Sequence, residues 1–154
     1  MAFKVNIDVD RTITVSADVA TAFALLSDVP ASAEHFPKIE NLIDQGDGVY
    51  RWETEKVGIG DHALQTIYAS KYVSDEANGS VEWTAVKGEG NAQVSGGWSL
   101  TEVDGGTELT LSSSAELELP LPKLLKMAIS PVVKSEFVRM VDTYVENIES
   151  ALNS

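Results

Sequence analysis

Two rhythms of hydrophobic and polar positions divide the chain. Phe3, Val5, Ile7, Val9, Ile13 and Val15 alternate with polar residues, which predicts one long first strand with a single buried face. Arg11 falls on that same face, so either a bulge forms at Asp10-Arg11 or the side chain reaches towards a carboxylate at the edge or inside. Val19, Ala22, Phe23 and Leu26 then share one side of a short helix that Ser16 or Asp18 can cap, and Asp28 to Pro37 forms a second short helical or turn segment.

From Ile39 the period of two returns. Gln45-Gly46-Asp47-Gly48 predicts a hairpin, followed by a strand from Val49 to Val57 with Tyr50, Trp52 and Thr54 on one face; Gly58-Ile59-Gly60-Asp61 predicts the next turn. The run from His62 to Ser74 reads as one strand whose inward face stays open, because His62, Leu64, Thr66 and Tyr68 fit as well as Ala63, Gln65, Ile67 and Ala69. A short strand at Val81, Trp83 and Ala85 follows. The next groups Ala92, Val94, Trp98 and Leu100, with Gly96-Gly97 allowing a bend or bulge. The last strand alternates most cleanly, and its inward face narrows to Ser113 and Ala115 between leucines.

The rhythm changes once more, between Leu121 and Asn153. Val133, Phe137, Val141, Tyr144, Ile148 and Leu152 recur every three or four residues and form one apolar stripe of a helix. Ser130-Pro131 suits a restart, with serine capping and proline at the first helical position, so a short basic helix, a kink or break near Pro131 and about five further turns are expected. That stripe must cover a sheet built from the preceding strands.

Composition narrows what such a chain can do. With 154 residues and 44% hydrophobic content, and with neither linker nor repeat, residues 1–154 form one expected domain. A net charge of -13 argues against nucleic acid as a partner. The absence of cysteine removes disulfides and thiolate chemistry, and the two histidines, His35 and His62, lie in different segments without a zinc-ligand pattern, so no metal and no cofactor is expected. No apolar run reaches the roughly 18 residues of a bilayer span, and Met1-Ala2-Phe3 opens a strand-like run rather than a signal peptide, so a cytoplasmic location is expected.

The element order, a long strand, two short helices, about six antiparallel strands and a long helix, gives an α+β chain with a curved sheet gripping a helix. It resembles the helix-grip fold of the START-like, or SRPBCC, superfamily, and in particular its polyketide cyclase/dehydrase and coenzyme Q-binding branch. The resemblance spans nearly the whole chain. It rests on Arg11-Thr12-Ile13 to Leu26-Ser27-Asp28 as opening strand and helix, on His35-Phe36-Pro37-Lys38-Ile39, and on Val81-Glu82-Trp83 with Gly97-Trp98-Ser99-Leu100. It implies an elongated apolar cavity between sheet and helix that carries lipids, quinones, sterols or polyketide-like molecules, and in some members cyclises or dehydrates them.

The residues allow such a cavity independently. Trp52, Tyr68, Trp83 and Trp98 offer flat apolar faces with polar tips, Ser113 and Ala115 leave the sheet poorly filled, and Met127, Phe137 and Val141 close the space from the helix. Arg11 and His62 are candidate polar contacts. A carrier or chaperone for a hydrophobic small molecule is the leading expectation. A cofactor-free cyclase or dehydratase using His62, Tyr68 or Arg11, and an interaction module with a filled core, remain alternatives. Lys123, Lys126 and Lys134 stand among leucines with no acid between Leu119 and Lys134, which makes a basic island for transient docking on an anionic membrane or protein. Ligand identity and oligomeric state are open at this point.

Overall fold

A computed structural model of the protein describes residues 3–59 and 62–153, with the side chains of Val57, Ile59 and His62 outside that description. The chain runs β1 (Phe3–Val15), α1 (Val19–Ser27), α2 (Val29–Ala33), β2 (Ile39–Gly46), β3 (Val49–Thr54), β4 (Val57–Ile59), β5 (His62–Leu64), β6 (Ile67–Asp75), β7 (Ser80–Val86), β8 (Ala92–Val103), β9 (Gly106–Leu119), a 3-10 turn (Lys123–Leu125) and α3 (Lys126–Leu152). Seven strands make one antiparallel sheet in the order β1-β9-β8-β7-β6-β3-β2, while β4 and β5 pair separately. The long C-terminal helix lies across its apolar face, and the two short helices follow the first strand: this is the helix-grip arrangement.

Alternation in β1 and β9 produces this sheet directly. Their ladder runs without interruption from Phe3 opposite Leu119 to Val15 opposite Thr107, so the predicted bulge at Asp10-Arg11 is absent. Arg11 instead reaches from the sheet to the helix, its Nε donating to Asp142 Oδ1 at 2.6 Å. A guanidinium on the inward face can do this because it sits near the sheet edge, where both partners keep contact with water. The two short helices are capped by aspartates, Asp18 Oδ1 accepting from Thr21 N at 2.8 Å and Asp28 Oδ1 from Ala31 N at 3.2 Å. Ser16, the other candidate cap, has its amide held by Asn153 Oδ1 at 2.7 Å, which ties the end of β1 to the end of α3.

Three further expectations meet the structure here. Gly96-Gly97 makes no bulge against β9, where β8 keeps its register through both residues, while the ladder with β7 ends at Trp83 opposite Gly96. The glycines serve close approach: a Cβ on Gly96 would lie 2.1 Å from the Ser112 carbonyl oxygen. Residues 62–74 are not one strand, because Gln65-Thr66 separates β5 from β6. Side chains take over the backbone pairing there: Asn91 accepts from Ile67 N and donates to the Gln65 carbonyl, and Thr54 Oγ1 accepts from Thr66 N. Finally, α3 does not break at Pro131 but runs through it from Lys126. Proline there costs the Met127 carbonyl its helical partner, and Met127 is exposed, so water can serve that carbonyl. Ile129 and Val133 on either side are both buried, which keeps the helix against the sheet past the proline.

Candidate functional site

The sheet and α3 do not meet evenly. The α3 backbone runs closest to β1. There Ile7, Val9, Leu109, Val145 and Ile148 close the gap and are almost fully buried. Towards β3, β6 and β7 the helix stands further off, and aromatic side chains bridge the space. What they leave is a cavity of about 110 Å³, measured as room for the centre of a water-sized sphere. One water needs about 10–15 Å³ by that measure, so this is a void and not a packing defect.

The strands fix where the aromatic groups stand. Trp52 on β3 is directly opposite Tyr68 on β6, and their rings stack at 5.9 Å with 12° between planes. Tyr72, four residues further along β6 and on the same face, is directly opposite Trp83 on β7. From the helical side Tyr144 on α3 stacks on Phe36 at 4.0 Å and 8°, and Phe36 meets Trp52 edge-on at 5.5 Å. Such rings supply apolar area at low conformational cost.

The polar tips differ in their partners. The Tyr144 hydroxyl lies 2.5 Å from Ser32 Oγ and accepts from Trp98 Nε1 at 3.1 Å, which locks α3 to α2 and β8. The Tyr68 and Tyr72 hydroxyls donate to no protein acceptor among the described residues. Trp52 Nε1 is fully covered and has no hydrogen-bond partner among the described residues. Desolvation raises the pKa of Tyr68, Tyr72 and Tyr144 above that of free tyrosine, so all three stay protonated near neutrality.

Charge is confined to the cavity rim. Among the described lining residues only Lys38, Glu55 and Glu136 are charged. Lys38 Nζ meets Glu136 Oε2 at 3.0 Å, which joins the segment before β2 to α3. Lys38 has φ of 59°, a conformation side chains other than glycine adopt rarely, and its carbonyl accepts from Glu55 N at 2.8 Å.

Of the residues expected to line the site, Trp52, Tyr68, Trp83, Trp98, Ser113, Phe137 and Val141 do so. Ala115 and Met127 do not. Ala115 points inward but is packed in the core, and Met127 is 90% exposed, because the uninterrupted α3 turns that position to solvent. Arg11 is engaged by Asp142 and stands outside the lining, and the His62 side chain lies outside the described residues. Lys123, Lys126 and Lys134 are all exposed, beside Leu124 at 94% and Met127. Tyr72, Phe36 and Glu136 were not singled out from sequence. Tyr72 was within reach of the strand period, since it shares the face of Tyr68 once that face is known.

Comparison with known proteins places the chain. Residues 6–149 match the family model described as polyketide cyclase / dehydrase and lipid transport. No curated protein matches significantly in sequence. Among solved structures, the protein TTHA0849 from Thermus thermophilus aligns at TM-score 0.69 and 16% identity over 96% of both chains. The ZhuI aromatase/cyclase from Streptomyces sp. R1128 aligns at 0.69 and 16% over 96% of this chain and 93% of its own. A START superfamily protein from Mycobacterium smegmatis aligns at 0.65 and 18% over 94% and 96%. At these identities the structures speak for a shared fold, and the family match covers nearly the whole sequence: the chain belongs to the polyketide cyclase / dehydrase and lipid transport family.

Proposed function

We propose that the protein binds a hydrophobic small molecule, a lipid, quinone or polyketide-like compound, in the cavity between sheet and α3 and acts as its carrier or chaperone. The observation that supports this most is the void itself, walled by Trp52, Tyr68, Tyr72, Trp83 and Phe137 and charged only at its rim. A core meant to be filled would have closed on it. Native mass spectrometry of the purified protein, before and after organic extraction, tests the reading. A bound apolar mass released by extraction is the expected result. An unliganded protein that also takes up no fluorescent quinone, sterol or fatty acid would overturn it in favour of an interaction module.

The same free phenols favour a second reading, a cofactor-free cyclase or dehydratase in which Tyr68 donates a proton to a polyketide-like substrate. Turnover of an aromatic polyketide precursor that falls at least about tenfold in Tyr68→Phe would establish it. Turnover unchanged by that substitution would remove Tyr68 from any mechanism.

We propose further that the carrier exchanges its cargo at an anionic membrane surface through Lys123, Lys126 and Lys134. Leu124 and Met127 project beside these lysines at 94% and 90% exposure, ready to enter a lipid headgroup layer. The segment runs between Leu119 and Val133, both of which line the cavity. Wild type should co-sediment with phosphatidylserine–phosphatidylcholine vesicles and not with phosphatidylcholine alone, and a triple Lys→Glu variant should stay in the supernatant. Equal recovery of the two proteins, or none of wild type, would overturn membrane docking and leave an acidic protein as the occupant.

A further inference from the structure

The cavity wall carries donors that the protein itself does not use. Buried polar groups in a finished core are paired, because each unpaired one forfeits its hydration without return. Tyr144 obeys that rule, with Ser32 and Trp98 on its hydroxyl. Tyr68 is only 9% exposed and Trp52 only 4%, yet among the described residues neither the Tyr68 hydroxyl nor the Trp52 indole N–H has a partner, and the Tyr72 hydroxyl has no acceptor for its proton. All three belong to adjacent strands, β3 and β6, on the face towards the void. The phenol oxygens, unlike Trp52 Nε1, are not covered by protein atoms.

We propose that this wall is an acceptor-oxygen subsite: Tyr68 and Tyr72 donate their hydroxyl protons to one or two neutral carbonyl oxygens of an otherwise apolar ligand. The proposal rests on the carrier reading above and specifies its ligand class as a ketone or quinone. Three features discriminate that class. A pure hydrocarbon would leave every donor unpaired. A carboxylate would enter a wall without a cation, because Lys38, the one positive residue of the described lining, is at the rim and already paired with Glu136. A neutral carbonyl satisfies the donors and brings no charge to desolvate.

Three probes with the same bicyclic body separate these cases by calorimetric titration: menadione, methylnaphthalene and naphthoate. Menadione should bind at least about tenfold more tightly than either of the others. In a Tyr68→Phe/Tyr72→Phe variant its affinity should fall to that of methylnaphthalene, which should itself be unchanged. Phenylalanine keeps the rings and removes only unpaired hydroxyls, so the variant should fold at least as well as wild type, and an unchanged melting curve will show it. Equal affinity for menadione and methylnaphthalene, tighter binding of naphthoate, or full retention of menadione by the variant would each overturn the subsite while leaving a ligand cavity in place. Failure of all three probes to bind, together with an unliganded native mass spectrum, would overturn the carrier reading and the subsite with it.

Discussion

One helix covers two unlike regions of the same sheet. At the β1 side α3 is packed tightly, with Ile148 and Leu109 both at 0% exposure, and nothing remains between helix and strand. At the β3, β6 and β7 side Phe137 and Met140 face an aromatic wall across a void. The first region has the residue types of a core, branched aliphatics with no polar atoms to satisfy. The second has rings with polar tips, which stand rigidly without needing to fill space. Tight packing and open space thus lie at different ends of one interface, and substitutions at the two ends should have different consequences.

The sharpest contrast is between Ile148→Ala and Phe137→Ala. The first removes a fully buried side chain where neighbours cannot collapse, and should cost about 2–5 kcal/mol in urea unfolding. The second should cost no more than about 1–2 kcal/mol while weakening uptake of an apolar fluorophore. Equal destabilisation would mean that the cavity side is ordinary core. Between these ends stands Tyr144, and Tyr144→Phe leaves the Trp98 indole and Ser32 hydroxyl without their partner; a loss of about 1–3 kcal/mol is expected. Tyr68→Phe, where no partner is lost, should leave stability unchanged or higher.

Alkaline titration compares the phenols together. Their pKa values in the folded chain are raised by burial, so above a pH of about 10 the unfolded chain releases protons that the folded chain keeps. Stability is therefore intact below that pH and falls above it, by up to about 1.4 kcal/mol per pH unit for each such tyrosine. Tyrosinate absorbance should rise in step with unfolding, and the Tyr68→Phe/Tyr72→Phe variant should unfold at higher pH than wild type. The smallest effect on stability belongs to the rim. Lys38→Ala removes a partly exposed ion pair and should cost less than about 1 kcal/mol, yet it frees α3 from the segment before β2 and should speed release of a bound fluorophore. Unchanged release would remove the Lys38 to Glu136 contact from the path of entry.

The sequence discloses the tight region far better than the open one. Alternation from Phe3 to Val15 and from Leu109 to Leu119 is sufficient to identify both strands and their inward faces, because a strand buried on one face announces that face every second residue. The stripe through Val133, Val141 and Ile148 does the same for α3. Period alone could not resolve residues 62–74, where Asn91 and Thr54, distant in sequence, take hydrogen bonds that a continuous strand would have made. Nor could it weigh Pro131, since the cost of one lost helical bond is offset by packing of Ile129 and Val133 that only the fold reveals. Trp52 and Trp98 illustrate the remaining limit. Both are buried indoles on the inner face, but one donates to Tyr144 and the other lacks a well-formed bond, a difference fixed by what lies opposite.

The pairing of β1 with β9 also sets a timetable. During synthesis the first strand must wait for residues 107–119 before its neighbour exists, and the apolar face of the whole sheet must wait longer, until α3 has been made. β2, β3, β6, β7, β8 and β9 pair with strands made shortly before or after them, so what stays open longest is the edge of β1 and the apolar face that α3 covers, a condition in which strands from neighbouring chains can join. Closure of the sheet by β1 is therefore a late event, and the long loop that it closes slows folding relative to a chain held by local contacts alone.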